Sequence, residues 1–365
     1  MSESEHALTA HEAQAIADIP GADLAGEPLA ISPWLAMSLL QKAIRRDARD
    51  WAWRAALTLF RQDPARLWRR LLVIAFEDIG VADLKSSAAA LAASRGKAWR
   101  RRLGGDKRVA RYLVETMCQA RKCRGADDLA VCCDWDGRYE SHRLQLAQAS
   151  MDELAGRLVE DSDLVVRALA LWLLLGTRRC PSASLPARPG DPDRAFAALA
   201  AATGQQAAVS TAAEAFRRSG AILAPFWALL LAQPGRDPEQ RLDDAMPEEE
   251  LIHGVPDWAY DMHTREGKRA IRTFLASKAA SADWIKTHVP SRGRTEFLGG
   301  VVFRIESGLV RRRLDWPTGR ALRQAADHAD LTLGPDKVAV INALARADLP
   351  LINEARHAVA RPHLR

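Results

Sequence analysis

Apolar residues recurring every three or four positions, each run opened by a helix-starting pair, constrain this chain more than any other feature. At Ser32-Pro33 a hydroxyl that can cap a helix precedes a proline suited to the first helical position. Ala36, Leu40, Ala43 and Ile44 then lie on one stripe of that helix. A second helix places Trp51, Ala55 and Leu59 on one face. Asp63-Pro64 opens a third, whose inward face is Leu67, Leu71, Ile74 and Ala75, with Gly80 as its stop. Short amphipathic helices joined by tight turns predict a mainly α protein built as a helical bundle.

The same texture runs through 88–99, 109–121 and 151–158, and through the apolar run Leu164–Leu175, which Arg167 interrupts. That run is shorter than the roughly 20 residues of a spanning helix, so it reads as a core helix and no membrane contact is expected. The acidic, polar start Met1-Ser2-Glu3-Ser4-Glu5 does not resemble a secretory signal, and the expected compartment is cytoplasmic. Of the five cysteines, Cys118, Cys123, Cys132 and Cys133 crowd one segment in a spacing that fits no zinc or iron–sulfur pattern; they are expected to be packed thiols.

Proline and glycine divide the chain. Residues 1–30 read as a flexible leader, 31–180 as a helical domain and 181–193 as a linker. Residues 194–232 form a further helical segment, 233–250 an acidic linker and 251–365 a mixed C-terminal part. Within the last, Val301-Val302-Phe303-Arg304-Ile305 and Leu309-Val310-Arg311, separated by Ser307-Gly308, predict a small β-hairpin.

The chemistry begins with absences. No stretch fits the phosphate-cradling GxxxxGK[ST], and GxSxG, HExxH and GxGxxG are missing too, so no nucleotide hydrolysis and no cofactor are expected. The net charge of +6 permits binding to nucleic acid. Two basic clusters are candidate DNA contacts: Lys97, Arg100, Arg101, Arg102, Lys107, Arg108 and Arg111, then Arg292, Arg294, Arg304, Arg311, Arg312, Arg313, Arg320 and Arg323. Trp99 and Trp316 beside them are candidates for stacking on bases; the alternative is that both clusters are solvated helix faces. The densest polar constellation is Asp257, Asp261, His263, Thr264, Arg265 and Lys268. On a helix, Asp257 and Asp261 would share a face, and with His263 they could hold a divalent metal and activate water. The alternative is a capping and salt-bridge network without metal, or a partner contact. The expected metal content is none, because two carboxylates and one histidine make a thin ligand set.

Two stretches carry a resemblance. Leu40-Gln41-Lys42-Ala43-Ile44-Arg45-Arg46 and the segment 67–83, with Arg69, Arg70, Glu77, Asp78 and Gly80, resemble the helical region that follows the ATPase core in the MgsA/RarA family of replication-associated recombination proteins. The stretch 256–268 is similar to a Pro-Asp-aromatic…Asp-x-His-Thr-x-x-Gly pattern in relatives of that region. Phe76 stands where the family carries a small residue. The resemblance implies a clamp-loader-type collar, self-association as a homo-oligomer, a tetramer by analogy, and work near replicating DNA. Only about 30 residues precede Ser32, too few for an AAA+ module, so no unwinding activity is expected.

The function expected is therefore a non-enzymatic accessory of DNA replication or recombination, an oligomeric helical scaffold for DNA or a replication partner. The alternatives are a metal-dependent hydrolase or nuclease at Asp257, Asp261 and His263, and an interaction module that mimics the collar of a full-length ATPase.

Overall fold

Capping chemistry sets the helix boundaries in the computed structural model, which describes residues 10–237, 241–331 and 334–360. Ser32 Oγ accepts from Leu35 N, Asp163 Oδ1 from Val165 N and Val166 N, and Asp191 Oδ1 from Arg194 N, each at a helix start. Among the described residues twenty α-helices follow in chain order. They are α1 (Ala10–Ala17), α2 (Pro33–Arg46), α3 (Arg49–Gln62), α4 (Pro64–Ile74), α5 (Leu84–Ala93), α6 (Lys97–Arg102) and α7 (Asp106–Gln119). Next come α8 (Gly125–Trp135), α9 (Glu140–Gln148), α10 (Met151–Glu160), α11 (Leu164–Leu175), α12 (Pro192–Thr203), α13 (Gln206–Ser219) and α14 (Leu223–Leu231). The last are α15 (Arg265–Leu275), α16 (Ala280–His288), α17 (Arg294–Val302), α18 (Pro317–Leu331), α19 (Pro335–Ala347) and α20 (Leu349–Val359). The protein is mainly α, and none of these helices is long and apolar enough to cross a membrane.

The chain forms two compact units that do not follow its linear order. Unit 1 comprises 1–19, 68–242 and 312–332; unit 2 comprises 20–67, 243–311 and 333–365. The core of unit 1 is α11 and α14, buried along nearly their whole length, with α8 and α18 packed together beside them. A two-residue antiparallel pairing of β1 (Arg241–Leu242) with β4 (Arg313–Leu314) closes it. In unit 2, α2 packs on α3 and α15 packs on α20.

A small hairpin does lie in the C-terminal third, where β2 (Leu251–Ile252) pairs with β3 (Val255–Pro256) across His253-Gly254. The residues expected to form it do not. Val301 and Val302 end α17, and Phe303–Ser307 is a single π-helical turn. The β-branched run is buried on all sides, and a short buried apolar run has no periodicity to separate strand from helix. The expected leader also differs: residues 10–17 are helical, while residues 1–9 lie outside the described part.

A second π-helical turn, Ala75–Ile79, ends α4. Gly80 follows with φ 56°, and a Cβ there would lie 2.1 Å from the Cys123 carbonyl oxygen, so only glycine closes this turn. None of the five cysteines is in a disulfide and all are buried; burial raises Cys132 to about 12 and Cys180 to about 11, so these two remain thiols.

Candidate functional site

The segment Asp257–Lys268 is held inside unit 2 by a buried network of ions. After the hairpin, Asp257–Ala259 forms a 3-10 turn rather than an α-helix, so Asp257 and Asp261 do not share a helix face as the spacing suggested. Thr264 caps α15: its Oγ1 accepts from Gly267 N at 3.0 Å and donates to the Asp261 carbonyl at 3.0 Å. Gly267 is required, since a Cβ on it would meet that carbonyl oxygen at 2.0 Å.

Asp261 is fully buried. Its Oδ1 accepts from His263 N at 2.9 Å and its Oδ2 lies 2.8 Å from Lys42 Nζ, a group with 5% side-chain exposure. Lys42 also reaches Ser38 Oγ, which in turn donates to the Ala259 carbonyl at 2.7 Å. Burial pushes the Asp261 carboxyl up, but Lys42 and His263 outweigh it and hold the group below its ordinary range. Burial lowers the Lys42 ammonium in spite of Asp261.

The π-turn carries the second half. Glu306 takes a bidentate pair from Arg356, Nη1 to Oε1 at 2.8 Å and Nη2 to Oε2 at 2.6 Å, and both side chains are 1% exposed. At the end of the turn α2 donates to two backbone carbonyls: Arg46 Nη2 to Glu306 O at 2.9 Å, which Leu309 N also reaches at 3.1 Å, and Arg45 Nη1 to Ser307 O at 3.1 Å. Arg356 continues to Asn353 Oδ1, and Asn353 Nδ2 donates to Asp257 Oδ2 and Glu250 Oε2, both at 2.9 Å. Arg46 also lies over the Trp258 ring at 5.0 Å. Burial and the nearby Glu306 raise Asp257 to about 6, while burial lowers Arg46 to about 10.

Each carboxylate here already accepts hydrogen bonds from fixed donors. Among the described residues no group of three or more His, Cys, Asp or Glu is placed to hold a metal. His263 is exposed, as are Arg265 and Lys268, and its ring packs edge-on against Phe303 at 6.3 Å. The arrangement latches α2, the motif, the π-turn and α20 together, and it offers no open carboxylate pair for water activation.

Unit 1 repeats the device. Asp78, on the π-turn after α4, is fully buried and accepts from Arg124 Nη1 at 2.7 Å, with Glu77 at 3.7 Å and Asp127 on the same guanidinium. The family-pattern residues thus divide: Glu77, Asp78 and Gly80 shape this turn, whereas Arg69 is exposed and Arg70 half-buried.

The basic clusters split likewise. Lys97, Arg101, Arg102 and Lys107 are exposed on α6 and the first turn of α7. Arg100 is instead buried, 4.1 Å over the Trp68 ring and 2.9 Å from Asp106, and Arg108 donates to the Ala17 and Ile19 carbonyls. Arg111 pairs with Glu115 at 2.6 Å. In the C-terminal cluster Arg292, Arg311 and Arg320 are exposed, and Arg320 pairs with Asp315. Arg313, Arg320 and Arg323 line a cavity of about 170 Å³ with Arg124, Asp128 and Asp315, a mixture of charges rather than a bare cationic face. Trp316 is fully buried and cannot stack on a base.

Lys42, Arg45 and Arg46 were visible only as part of a family-like helix. Glu306, Asn353 and Arg356 carried no sequence signal, because each sits at ordinary helical spacing far along the chain from its partners. No family model matches the chain, and neither does any curated protein or solved structure.

Proposed function

We propose that this chain is a non-enzymatic accessory of DNA replication or recombination, a helical scaffold that grips the DNA backbone without reading its sequence. The observation that supports this reading is the group Lys97, Arg101, Arg102 and Lys107. These four cations are exposed within eleven residues of one another, and among the described residues none of them is paired with a carboxylate. Cations left without partners are the ones that release counterions on meeting phosphates. The hydrogen bonds of Asp257 to Asn353 and Trp258 N, and the buried ion pair of Asp261 with Lys42, argue for support over hydrolysis at the motif. The reading includes self-association, as the family resemblance implies. Among Trp34, Trp51, Trp53 and Trp68 the candidate contact is Trp34, which is 58% exposed although Arg66 lies over its ring at 5.1 Å; Trp53 and Trp68 are buried and Trp51 is half-buried under Arg54.

The test is an anisotropy titration of labelled DNA at several salt concentrations. Affinity should fall by orders of magnitude between about 50 and 200 mM salt. Charge reversal at Lys97, Arg101, Arg102 and Lys107 should weaken binding equally for unrelated sequences and flatten the log–log slope by up to about 3–4. Absence of binding at low salt, or a variant indistinguishable from wild type, would overturn the proposal.

A further inference from the structure

At the turn from α16 into α17 lies a feature the ion network does not use. Trp284 and His288 are four residues apart on α16, and so fall on one helix face. Their rings stack with centroids 4.1 Å apart and planes inclined by 16°. Phe297, on α17, lies nearly parallel to the same indole at 6.3 Å and 22°. His288 is exposed, Trp284 and Phe297 are half-buried, and among the described residues no further ring lies against the imidazole. A contact of 2.8 Å between His288 Nδ1 and the Trp284 carbonyl fixes the imidazole plane, so the stack is preorganised.

An imidazole at the open end of an aromatic stack leaves one flat face in water. The surroundings are basic. Between positions 278 and 297 stand Lys278, Lys286, Arg292 and Arg294 against Asp283 and Glu296. Asp283 is engaged by Lys286 at 2.9 Å, and Arg294 is spent on the Val289 and Lys286 carbonyls; Arg292 and Glu296 are exposed, while Lys278 lies in a groove with Leu351 and Glu354 of α20. A flat π-face in a segment of net positive charge fits a ligand that is itself flat and anionic at its edges. Nucleobases on a phosphodiester chain have that form, and their faces are available only when the strand is unpaired.

We propose that the Trp284–His288–Phe297 stack is a platform for an unpaired nucleobase, and that the nucleic acid this protein prefers is single-stranded. The inference rests on the nucleic-acid reading above and narrows it. Stacking of a base on a protein ring is sequence-tolerant, in keeping with a backbone-directed grip.

The experiment compares anisotropy titrations of an oligothymidylate of about 20 nucleotides and a duplex of equal length, at low salt, for wild type, His288→Ala and Trp284→Leu. Wild type should bind the oligothymidylate more tightly than the duplex. Each variant should lose about tenfold or more on the single strand and keep its duplex affinity, the loss expected for one stacked base. His288 is exposed, so His288→Ala decides the question if Trp284→Leu proves unstable. The platform is refuted if wild type shows no single-strand preference, or if His288→Ala keeps full affinity for the oligothymidylate. If neither DNA binds at low salt, the nucleic-acid reading itself fails and the platform falls with it.

Discussion

Asp261→Ala is the most informative single substitution in unit 2. Removing the carboxylate leaves the Lys42 ammonium, 4% exposed, without its counter-charge 2.8 Å away. Breaking a buried pair from one side costs about 3–5 kcal/mol, because the remaining charge stays desolvated. For a unit of about 150 residues, at about 2–4 °C per kcal/mol, the midpoint of the transition should fall by roughly 6–20 °C. The pH dependence gives an independent sign. Burial already lowers Lys42, and Asp261 is the charge that opposes the fall. Without it, the folded-state pKa of Lys42 drops further below the unfolded value of 10.5. A depressed lysine penalises folding most below its folded pKa, and the penalty vanishes as pH rises toward the unfolded one. The variant should therefore recover relative to wild type between pH 7 and about pH 10. A Lys42→Met, Asp261→Ala double variant should regain most of the loss, since neither position then leaves a buried charge without its counter-charge. Denaturant melts across that pH range provide the measurement. A loss under about 1 kcal/mol at pH 7, or a double variant no better than Asp261→Ala alone, would refute the reasoning.

Two more outcomes follow from the same network and its counterpart in unit 1. Burial raises Asp257 from 3.8 to about 6, so its contribution to stability is fully present below the unfolded pKa and lost as pH rises through about 6. Wild type should lose about 2 kcal/mol relative to Asp257→Asn between pH 4 and pH 7, read from paired denaturant melts; a pH-independent difference would contradict the burial argument. Gly80→Ala combines a positive φ with a Cβ 2.1 Å from the Cys123 carbonyl oxygen, and should destabilise unit 1 by about 2 kcal/mol or more. An alanine variant melting with wild type would show that the turn relaxes freely.

The local grammar of the fold was legible, and its long-range wiring was not. Ser32-Pro33, the Gly80 stop and the Thr264 cap all stand where their chemistry placed them, because capping acts over three or four residues. The stretch Val301–Ile305 misled: its β-branched residues are packed inside a helix that ends in a π-turn, where burial overrides propensity. The motif Asp257–Lys268 was visible as a concentration of polar residues. Its use was not, because the deciding partners, Lys42, Glu306 and Arg356, lie far from it in sequence and carry no pattern of their own. Among the basic residues, composition could not separate Arg100, which is spent on Trp68 and Asp106, from Arg101 beside it, which faces water.

Unit 2 is drawn from three separated stretches, and this has a consequence for synthesis on the ribosome. The helices α2 and α3 emerge early, but the motif that receives Lys42, Arg45 and Arg46 follows some 200 residues later. At about 5–20 residues per second, α2 waits roughly 10–40 s for its partners. During that interval the face it will later bury is open to water and to other nascent chains. The three cations on that face then act as a solubilising guard, charged while the helix waits; Lys42 is later paired by Asp261, and Arg45 and Arg46 are hydrogen-bonded by carbonyls at the end of the π-turn. An all-hydrophobic replacement of the latch could therefore raise the stability of the finished protein and lower its yield.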